Sequence, residues 1–324
     1  MPSGKDLEQQ TLLLNRLVKR DRHLKKLARR EDSDCYRVYD RDIPEIPLSV
    51  DRYGDVAVVY LYERPYEKPD QEESEWLALM QGAVAEALGL APDSVLCKTR
   101  RRLGLEEQYD RTADAKVFRT VREHGLHFKV NVSDYLDTGL FMDHRSTRAM
   151  VRTMAQGRRV LNLFCYTGSF SVYALAGGAS EVCGVDLSNT YLAWAAGNIA
   201  LNGLDLARYR GVRADVAKFL SEAKVHGDRY GLIILDPPTF SNSKKMDDFM
   251  DINRHWPALV QSCLAILESD GDLLFSTNSR GLKFDPLLME SATVLDISAA
   301  STPEDFRHKP HQAWHIRKKV AGIF

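Results

Sequence analysis

The feature that most limits the possible folds is an alternation of short apolar segments with helical patterns through residues 159–279. Apolar segments occupy residues 159–166, 180–188, 208–215, 230–238 and 271–279, and helical patterns occupy residues 169–177, 188–202, 214–225 and 251–268. Strands that alternate with helices form right-handed βαβ units, whose parallel sheet is covered by helices on both faces. The sequence therefore predicts an α/β domain with a Rossmann-like sheet.

The preceding part of the chain has a different pattern. Residues 6–31 carry leucines at helical spacing opposite a strongly basic face, and residues 72–90 form a second helical pattern. Strand patterns lie at residues 35–40, 48–63, 95–102 and 127–134, and residues 103–126 look polar and loop-like. We predict a smaller β-rich α+β domain at residues 1–140, followed by the Rossmann-like domain at residues 141–324.

Composition excludes several classes of protein. The formal net charge is −1. The five cysteines contain no CxxC pair, and this pattern is typical of buried free thiols in a reducing compartment. No apolar run approaches the length of a membrane span, and no signal-peptide core is present at the N-terminus. We therefore expect a cytoplasmic protein with no membrane partner and no metal centre.

The turn after the first strand of the predicted sheet bears on the cofactor. It reads NLFCYTGSFS at residues 162–171, a strand followed by a tight turn at Thr167-Gly168 and a helix that begins at Ser169. This is not GxGxxG, so a dinucleotide pyrophosphate lacks its glycine cradle. A nicotinamide-dependent dehydrogenase is therefore disfavoured.

Acidic residues end three successive strands of the same sheet. Asp186 ends the second strand, where a carboxylate suits the ribose hydroxyls of an adenosine ligand. Asp215 ends the third strand and could accept from an adenine amino group, although it equally suits the N-cap of the next helix. Asp236 ends the fourth strand. Ligands bind at this edge of such sheets, so the series predicts an S-adenosylmethionine site.

A polar cluster precedes the first strand of the sheet. Asp143, His144 and Arg145 begin a helix there, and we expect this cluster near the methionine end of the cofactor. The predicted cofactor-binding residues are Asp143, Arg145, Asn162, Phe164, Thr167, Gly168, Ser169, Asp186, Leu187, Ser188, Asp215 and Asp236.

Four motifs together resemble a known family. YLDTGLFMDHR (135–145), NLFCYTGS (162–169), GVDLSNTYLAWAAGNIALNGL (184–204) and DPPTFSNSKKM (236–246) are similar to the Rossmann-like class I rRNA methyltransferases related to RlmI and RlmK. The resemblance covers nearly the whole chain and is greatest to the RlmK half of the bifunctional RlmKL enzymes. Those enzymes also carry a THUMP module and a second methyltransferase, which this chain lacks, so their guanine-N2 activity is not carried over.

The resemblance implies methylation of a guanine N7 in 23S rRNA, either naked or in an assembly intermediate of the large subunit. This nitrogen holds a lone pair and bears no proton, so in-line transfer from S-adenosylmethionine requires no covalent enzyme intermediate. The predicted catalytic residues are Asp236, Pro237, Pro238 and Phe240, and the first domain would bind RNA. The predicted RNA-binding residues are Arg100, Arg101, Arg102, Lys244 and Lys245.

Two alternative functions stay open, and the first is methylation of another base. Methylation of cytosine C5 needs a cysteine thiolate, which RlmI-like enzymes carry in a Ser-Cys-Ser sequence, but FSTNSRG (275–281) has Asn278 at that position. Methylation of the exocyclic amine of adenine would prefer an acceptor and an aromatic directly after the prolines, where Thr239 stands, and methylation of guanine N2 is a further possibility within this alternative. The second alternative is a non-catalytic RNA-binding or ribosome-assembly factor.

Overall fold

In the computed structural model, which describes residues 3–63, 69–100, 117–241 and 250–319, the chain divides into two units. The side chains of Arg100, Phe240 and Ser241 lie outside the described part. The first unit comprises residues 1–142 with 304–308, and the second comprises residues 143–303 with 309–324. Among the described residues, no helix is both long and apolar enough to cross a membrane.

The first unit contains a four-stranded sheet, a separate hairpin and two long helices. Its elements are α1 (Gly4–Arg30), β1 (Cys35–Asp40), β2 (Leu48–Tyr53), β3 (Val56–Tyr62), α2 (Asp70–Leu88), a 3-10 turn (Pro92–Ser94), β4 (Val95–Arg100), β5 (Phe118–Glu123) and β6 (Leu126–Asn131). The sheet order is β1-β2-β3-β4, in which only the β3–β4 pair is parallel. β5 and β6 form an antiparallel pair.

Helix α1 follows directly from its sequence pattern. Ser3 and Asp6 form a capping box at its start, which satisfies amide groups that have no partner within the helix. Leucines 13, 17 and 24 lie on one stripe and are buried in the core of the first unit. Asp21 is also buried on this side, where it accepts a hydrogen bond of 2.8 Å from the Tyr36 hydroxyl.

One element of the first unit was missed. Residues 103–126 were predicted as a loop, and this is wrong for β5, whose sequence is FRTVRE. Among the described residues, this strand pairs only with β6, and its side chains are mostly exposed or half-buried. Charged residues are therefore tolerated, and the apolar alternation is weak.

The second unit is the predicted α/β domain, preceded by a 3-10 turn (Met142–His144). Its elements are α3 (Arg145–Met154), β7 (Arg159–Leu163), α4 (Ser169–Ala176), β8 (Glu181–Asp186), α5 (Asn189–Leu201), β9 (Tyr209–Arg213), α6 (Val216–His226), β10 (Tyr230–Leu235), β11 (Phe240–Ser241), β12 (Met250–Asp251), α7 (Ile252–Ile266), β13 (Leu267–Thr277), β14 (Ala292–Asp296), α8 (Ser298–Ser301) and β15 (Gln312–Lys318). Two further 3-10 turns are Leu206–Arg208 and Pro286–Met289.

Seven strands form the central sheet in the order β14-β15-β13-β10-β7-β8-β9. The five strands from β13 to β9 are parallel, and β15 and β14 close the sheet with antiparallel pairs. The chain runs outward from β7 to β9 and then returns to the other side of β7 with β10. This reversal opens a crevice at the carboxyl ends of β7 and β10, which is where ligands bind in such sheets.

One buried carboxylate within the sheet is hydrogen-bonded to three basic side chains. Asp272 on β13 is buried, and it accepts hydrogen bonds from Arg158, Arg317 and His315, the last over 2.6 Å. Burial alone would raise the pKa of Asp272, but these hydrogen bonds lower that pKa well below its ordinary value.

We expect Asp272→Asn to lower the free energy of unfolding by about 2 kcal/mol at neutral pH, because charge-assisted hydrogen bonds are lost. A carboxylate whose pKa is lowered stabilises the fold above its unfolded pKa of about 3.9, and this contribution is lost as pH falls toward the lower folded pKa. Urea unfolding measures the free energy of unfolding of both proteins. The difference in this free energy between Asp272→Asn and the wild type should be smaller below pH 4 than at pH 7. Asp270→Asn, at an exposed position of the same strand, is the control and should change little. An Asp272→Asn difference that stays constant down to pH 3 would contradict the assignment.

Candidate functional site

The turn after β7 has an unusual backbone. Phe164, Tyr166 and Gly168 all have positive φ, at 55°, 49° and 74°. Residues other than glycine rarely adopt this region, at a cost of about 1–3 kcal/mol each, and such residues cluster at functional sites. The turn is closed by a hydrogen bond of 2.8 Å from the Gly168 amide to the Cys165 carbonyl oxygen. It lies at the crevice that the sheet topology defines.

Gly168 also allows a close approach of helix α5. A Cβ atom at this position would lie 2.5 Å from the Cβ of Ala195, which is shorter than any contact between carbon atoms allows. Three residues further along α5, the buried Asn198 side chain donates a hydrogen bond of 2.9 Å to the Thr167 carbonyl oxygen. The side chain of Thr167 is buried as well, and Ser169 begins helix α4. The turn is therefore held against α5 by both packing and hydrogen bonding.

The carboxylate of Asp186 joins the ends of two neighbouring strands. Its two oxygens accept hydrogen bonds of 3.0 Å from the Tyr166 amide and 2.9 Å from the Ser188 amide. Burial raises the pKa of Asp186, while backbone hydrogen bonds oppose that increase. A carboxylate accepts about four hydrogen bonds, so capacity remains for ribose hydroxyls. Ser188 caps α5 by accepting from the Tyr191 amide, and Leu187, between Asp186 and Ser188 in the chain, is half-buried.

Two predicted cofactor residues have structural partners. Asp215 is the N-cap of α6 and accepts a hydrogen bond of 3.0 Å from the Lys218 amide, which is the second role that the sequence allowed. Asn162 is buried within β7, where its amide donates to the Ser171 hydroxyl over 3.0 Å. Cofactor contact by either residue stays a prediction.

The end of β10 carries the Asp-Pro-Pro motif. One oxygen of Asp236 accepts a hydrogen bond of 2.6 Å from the Ser276 hydroxyl on β13, and the side chain stays about a quarter exposed, at 24%. Pro237 is buried and Pro238 is half-buried. The Thr239 hydroxyl donates to the Asn278 side-chain oxygen over 2.6 Å. The carboxylate of Asp236 is thus oriented by a neighbouring strand.

The backbone of Phe240 lies in β11, which pairs with β12, and its side chain lies outside the described part. Among the predicted RNA-binding residues, Arg100 ends β4 but its side chain is likewise outside that part. Arg101, Arg102, Lys244 and Lys245 are outside the described residues.

The cluster before β7 is buried and has a partner that the sequence did not reveal. His311, just before β15, lies with Nδ1 3.2 Å from the carboxylate of Asp143 and stacks on the ring of His144. His144 lies 3.6 Å from Asp236, and Arg145 is buried beside it in the chain. His311 lies 166 residues beyond Arg145, and no motif or spacing in the sequence connects it with the cluster at 143–145. The strand order of the sheet brings His311 next to this cluster.

One atom each from Asp143, His144 and His311 lies within 4.8 Å of the other two, a spacing that can suit a metal ion. The two histidine rings, however, are stacked with centroids 4.2 Å apart and planes inclined by 14°. The nitrogen lone pairs of imidazole lie in the ring plane, so those of stacked rings run nearly parallel and do not converge on one ion. The geometry favours a hydrogen-bonded network over metal coordination.

The cysteines are placed for packing. Burial, followed by the charge of Asp186, raises the pKa of Cys165 well above its ordinary value, and burial does the same for Cys263 in α7. Burial also raises the pKa of Cys183 to about 11. A thiol with such a pKa is protonated at neutral pH, and the thiolate is the nucleophilic form. None of the three therefore provides a nucleophile for covalent catalysis.

A parallel sheet with this strand order, a glycine turn after its first strand and acidic residues at its carboxyl edge define a class I S-adenosylmethionine-dependent methyltransferase. The family model described as S-adenosylmethionine-dependent methyltransferase matches residues 41–298, and the chain belongs to this family. Within that class, it belongs to the family of the ribosomal RNA large subunit methyltransferase K. The predicted fold class, cofactor and family resemblance are confirmed.

The similarity to curated relatives extends over nearly the whole chain. The ribosomal RNA large subunit methyltransferase K of Neisseria meningitidis serogroup B is 47% identical over 310 residues, which cover 95% of this chain and 88% of that relative. The methyltransferase K/L of Marinobacter nauticus is 40% identical over 319 residues, which cover 98% of this chain but 44% of that relative. The chain thus spans less than half of the K/L relative.

Solved structures support the fold. A candidate methyltransferase in complex with S-adenosylhomocysteine and a candidate S-adenosylmethionine-dependent methyltransferase from Streptococcus mutans each give a TM-score of 0.74. Each is 23% identical to this chain, and the match covers 95% of this chain and 81% of the other.

We expect Gly168→Ala to weaken cofactor binding at least tenfold, since the added methyl group collides with Ala195 and displaces the turn. Gly203→Ala is a matched control, because Gly203 also has positive φ, at 64°, but has open space around its Cβ position. Both variants should lose stability from backbone strain, on the order of 1–2 kcal/mol. Calorimetry with S-adenosylhomocysteine should separate them, and equal affinities for the two variants would contradict the role of the close approach.

Proposed function

We propose that this chain methylates a guanine N7 of large-subunit (23S) rRNA by in-line transfer from S-adenosylmethionine, without a covalent enzyme intermediate. The observation that carries the proposal is the strand end at Asp236, where a carboxylate held by Ser276 precedes two prolines, while burial raises the pKa of the Cys165 and Cys263 thiols. The names of the relatives indicate large-subunit rRNA as the substrate class.

The chemistry of N7 suits this floor. S-adenosylmethionine supplies an electrophilic methyl group, and N7 offers a lone pair without needing a base. Catalysis then depends mainly on positioning, which can contribute about 7–11 kcal/mol for well-oriented reactants. As positive charge moves onto the purine ring, the carboxylate of Asp236 and the carbonyls of the rigid Pro237-Pro238 turn would stabilise it. Phe240 is proposed to stack on the base, with about 1–3 kcal/mol of binding energy.

The alternative reaction, methylation of cytosine C5, lacks the nucleophile that it needs. Methylation of cytosine C5 requires a thiolate that adds to the ring. Asn278 stands where related enzymes carry that cysteine, and its side chain accepts a hydrogen bond from Thr239. Cys165 lies within the turn after β7, and its pKa is raised by burial. These observations support a target atom that needs no activation.

In the proposed complex, the second unit holds the cofactor. Asp186 would accept from the ribose hydroxyls, with Leu187 and Ser188 beside it, and Asp215 would contact the adenine. Along the methionine end we propose the remaining cofactor residues: Asp143, Arg145, Asn162, Phe164, Thr167, Gly168, Ser169 and Asp236. Their positions at one edge of the sheet support this arrangement.

The first unit is proposed to bind the RNA. Guanine N7 faces the deep, narrow groove of A-form RNA, which side chains cannot read, so the target base must be unpaired or extruded. The phosphate backbone on either side must then be held. We propose that Arg100, Arg101 and Arg102 of the first unit make these contacts together with Lys244 and Lys245 of the second unit. Helix α1 offers a further basic surface for phosphates.

The exposed face of α1 carries a stripe of cations, which we call the α1 stripe: Lys19, Arg22, Lys26, Arg29 and Arg30. At about 100° per residue, these five lie within roughly 100° of arc, opposite the buried leucines of the helix. None of them has an ion-pair partner among the described residues. Lys25 at the edge of this face, by contrast, pairs with Asp21.

The arrangement of the stripe is locally unfavourable. Arg22 and Lys26, and then Lys26 and Arg30, are like charges four residues apart, and each such pair costs about 0.2–0.5 kcal/mol in a helix. Between residues 16 and 30 the only acidic residue is Asp21, which is buried. The helix dipole favours Arg29 and Arg30, which lie in the last turn, but it does not offset the repulsion between Arg22 and Lys26. A local cost of this kind is typical of a functional surface, and RNA phosphates would neutralise this one.

Affinity for RNA falls as salt concentration rises, and each phosphate contact to a single strand contributes about 0.7 to the steepness of log affinity against log salt concentration. We therefore expect the triple variant Arg22→Gln/Lys26→Gln/Arg30→Gln to make this dependence less steep by about 2. Fluorescence anisotropy with a labelled rRNA fragment measures this slope. The variant should keep or raise its thermal midpoint, since like-charge repulsion is relieved.

A charge-matched control removes three exposed cations of the second unit, Arg208, Lys218 and Lys224. Its salt slope should change by less than that of the α1 variant. Equal slopes for the wild type and the α1 variant would exclude the stripe from RNA binding.

The proposed reaction is tested on 23S rRNA from a strain in which the gene is deleted. We expect the purified enzyme to restore an N7-methylguanine, detected by borohydride reduction and aniline cleavage of the RNA, and Asp236→Asn to transfer far more slowly while still binding S-adenosylhomocysteine. Deproteinised RNA and assembled subunits are compared as substrates. Methyl groups on cytosine C5 or guanine N2, or an unchanged N7-methylguanine level in the deletion strain, would refute the N7 assignment.

A further inference from the structure

His144 and His311 form a buried pair beside the Asp-Pro-Pro floor. Their rings stack with centroids 4.2 Å apart, and the edge of the pair meets Phe170 of α4, 5.7 Å from the His144 ring. The His311 side chain is completely buried, and that of His144 is 6% exposed. The pair joins the turn before α3 to the start of β15 within the second unit.

The contacts of His311 fix its orientation. Its Nδ1 lies 3.2 Å from Asp143 Oδ2, and its Nε2 lies 2.9 Å from the Ser301 hydroxyl. A carboxylate offers no hydrogen, so Nδ1 must carry the proton of the first contact. With a partner at each nitrogen, the ring of His311 is fixed in its plane, and it fixes Asp143 in turn.

His144 lies between two carboxylates. Its Nε2 is 3.6 Å from Asp236 Oδ2 and 3.9 Å from Asp143 Oδ2, and its buried Nδ1 has no hydrogen-bond partner among the described residues. Stacking on His311 and packing on Phe170, rather than strong hydrogen bonds, therefore hold this ring. The edge of a neutral imidazole that carries its proton on Nε2 separates two groups that would otherwise repel.

We infer that His144 and His311 are positioning residues, which hold the carboxylates of Asp143 and Asp236 at a fixed separation on the cofactor side of the methyl-transfer site. Asp236 accepts a hydrogen bond from Ser276 on β13, and its other oxygen lies 3.6 Å from His144 Nε2. This inference rests on the proposed function for the catalytic role of Asp236. Neither histidine needs to contact the RNA or the cofactor.

The charge state of His144 supports this role. Burial lowers the pKa of His144 from 6.5, while Asp236 and Asp143 raise it and His311 and Arg148 lower it further. These four groups are the titratable and charged neighbours with the largest effects on the pKa of His144. The imidazole is therefore neutral at pH 7 and becomes charged only in acid, where it would draw both carboxylates toward itself.

The test uses the full chain and two substitutions at His144. His144→Phe keeps a ring that can stack, but it removes both nitrogens, and His144→Gln restores a donor. We expect His144→Phe to lower kcat about 10- to 100-fold with little change in KM for RNA, because small misplacements of a catalytic group have effects of this size. His144→Gln should recover part of the rate. Adding His311→Gln to His144→Phe should cause little further loss, since the pair acts as a unit.

The control is His315→Gln, which removes another histidine–carboxylate contact in the same unit, the one to Asp272. It should lower the thermal midpoint and leave kcat unchanged. If His144→Phe and His144→Gln lose rate equally, and in proportion to lost thermal stability, the pair is merely structural and the inference is overturned.

A second measurement separates this inference from the proposed function, because it needs no RNA. We expect the affinity of the wild type for S-adenosylhomocysteine to fall more steeply than that of His144→Phe as pH decreases below 6.5 toward the lowered pKa of His144. Protonation of Asp186, whose pKa is raised by burial, acts on both proteins alike. Parallel pH profiles for the two proteins overturn the inference even if methylation occurs. Failure of the wild type to methylate rRNA, with profiles that differ as expected, refutes the proposed function alone.

Discussion

The carboxylate of Asp186 is the interaction on which the site depends. By accepting hydrogen bonds from the amides of Tyr166 and Ser188, it joins the turn after β7 to the start of α5. That turn contains positive φ angles at residues other than glycine, which are stable only when surrounding contacts hold them. Asp186, the close approach at Gly168 and the bond from Asn198 supply those contacts.

On the other side of the crevice, β10 also carries at its end a carboxylate that is held by hydrogen bonding. Asp236 ends β10 as Asp186 ends β8, and it is oriented by the Ser276 hydroxyl from β13. Parallel strands bring these ends to one edge, where a carboxylate can be held by the adjacent element and still keep an exposed face. The buried ring of His144 then lies between Asp236 and Asp143. Polar groups that cannot move are suited to stabilising charge during transfer.

Local patterns were sufficient for most of the fold and part of the site. Alternating strands and helices predicted the parallel sheet, and the glycine turn with acidic strand ends predicted the cofactor class. The strand β5 was missed, because its charged residues obscure the alternation. The N-cap role of Asp215 was among the two roles that the sequence predicted, whereas the hydrogen bond from Asn162 to the Ser171 hydroxyl was not predicted, because it depends on the packing of α4 against β7.

The sequence by itself determined the α/β class, the order of elements along the chain and the residues at the strand ends, because hydrophobic periodicity and capping are local properties. Only the tertiary structure decided which distant residues meet. Strand β15 inserts between β13 and β14, and this pairing brings His311 against His144 and Asp143. Such contacts depend on non-local pairing, and no spacing along the chain encodes them.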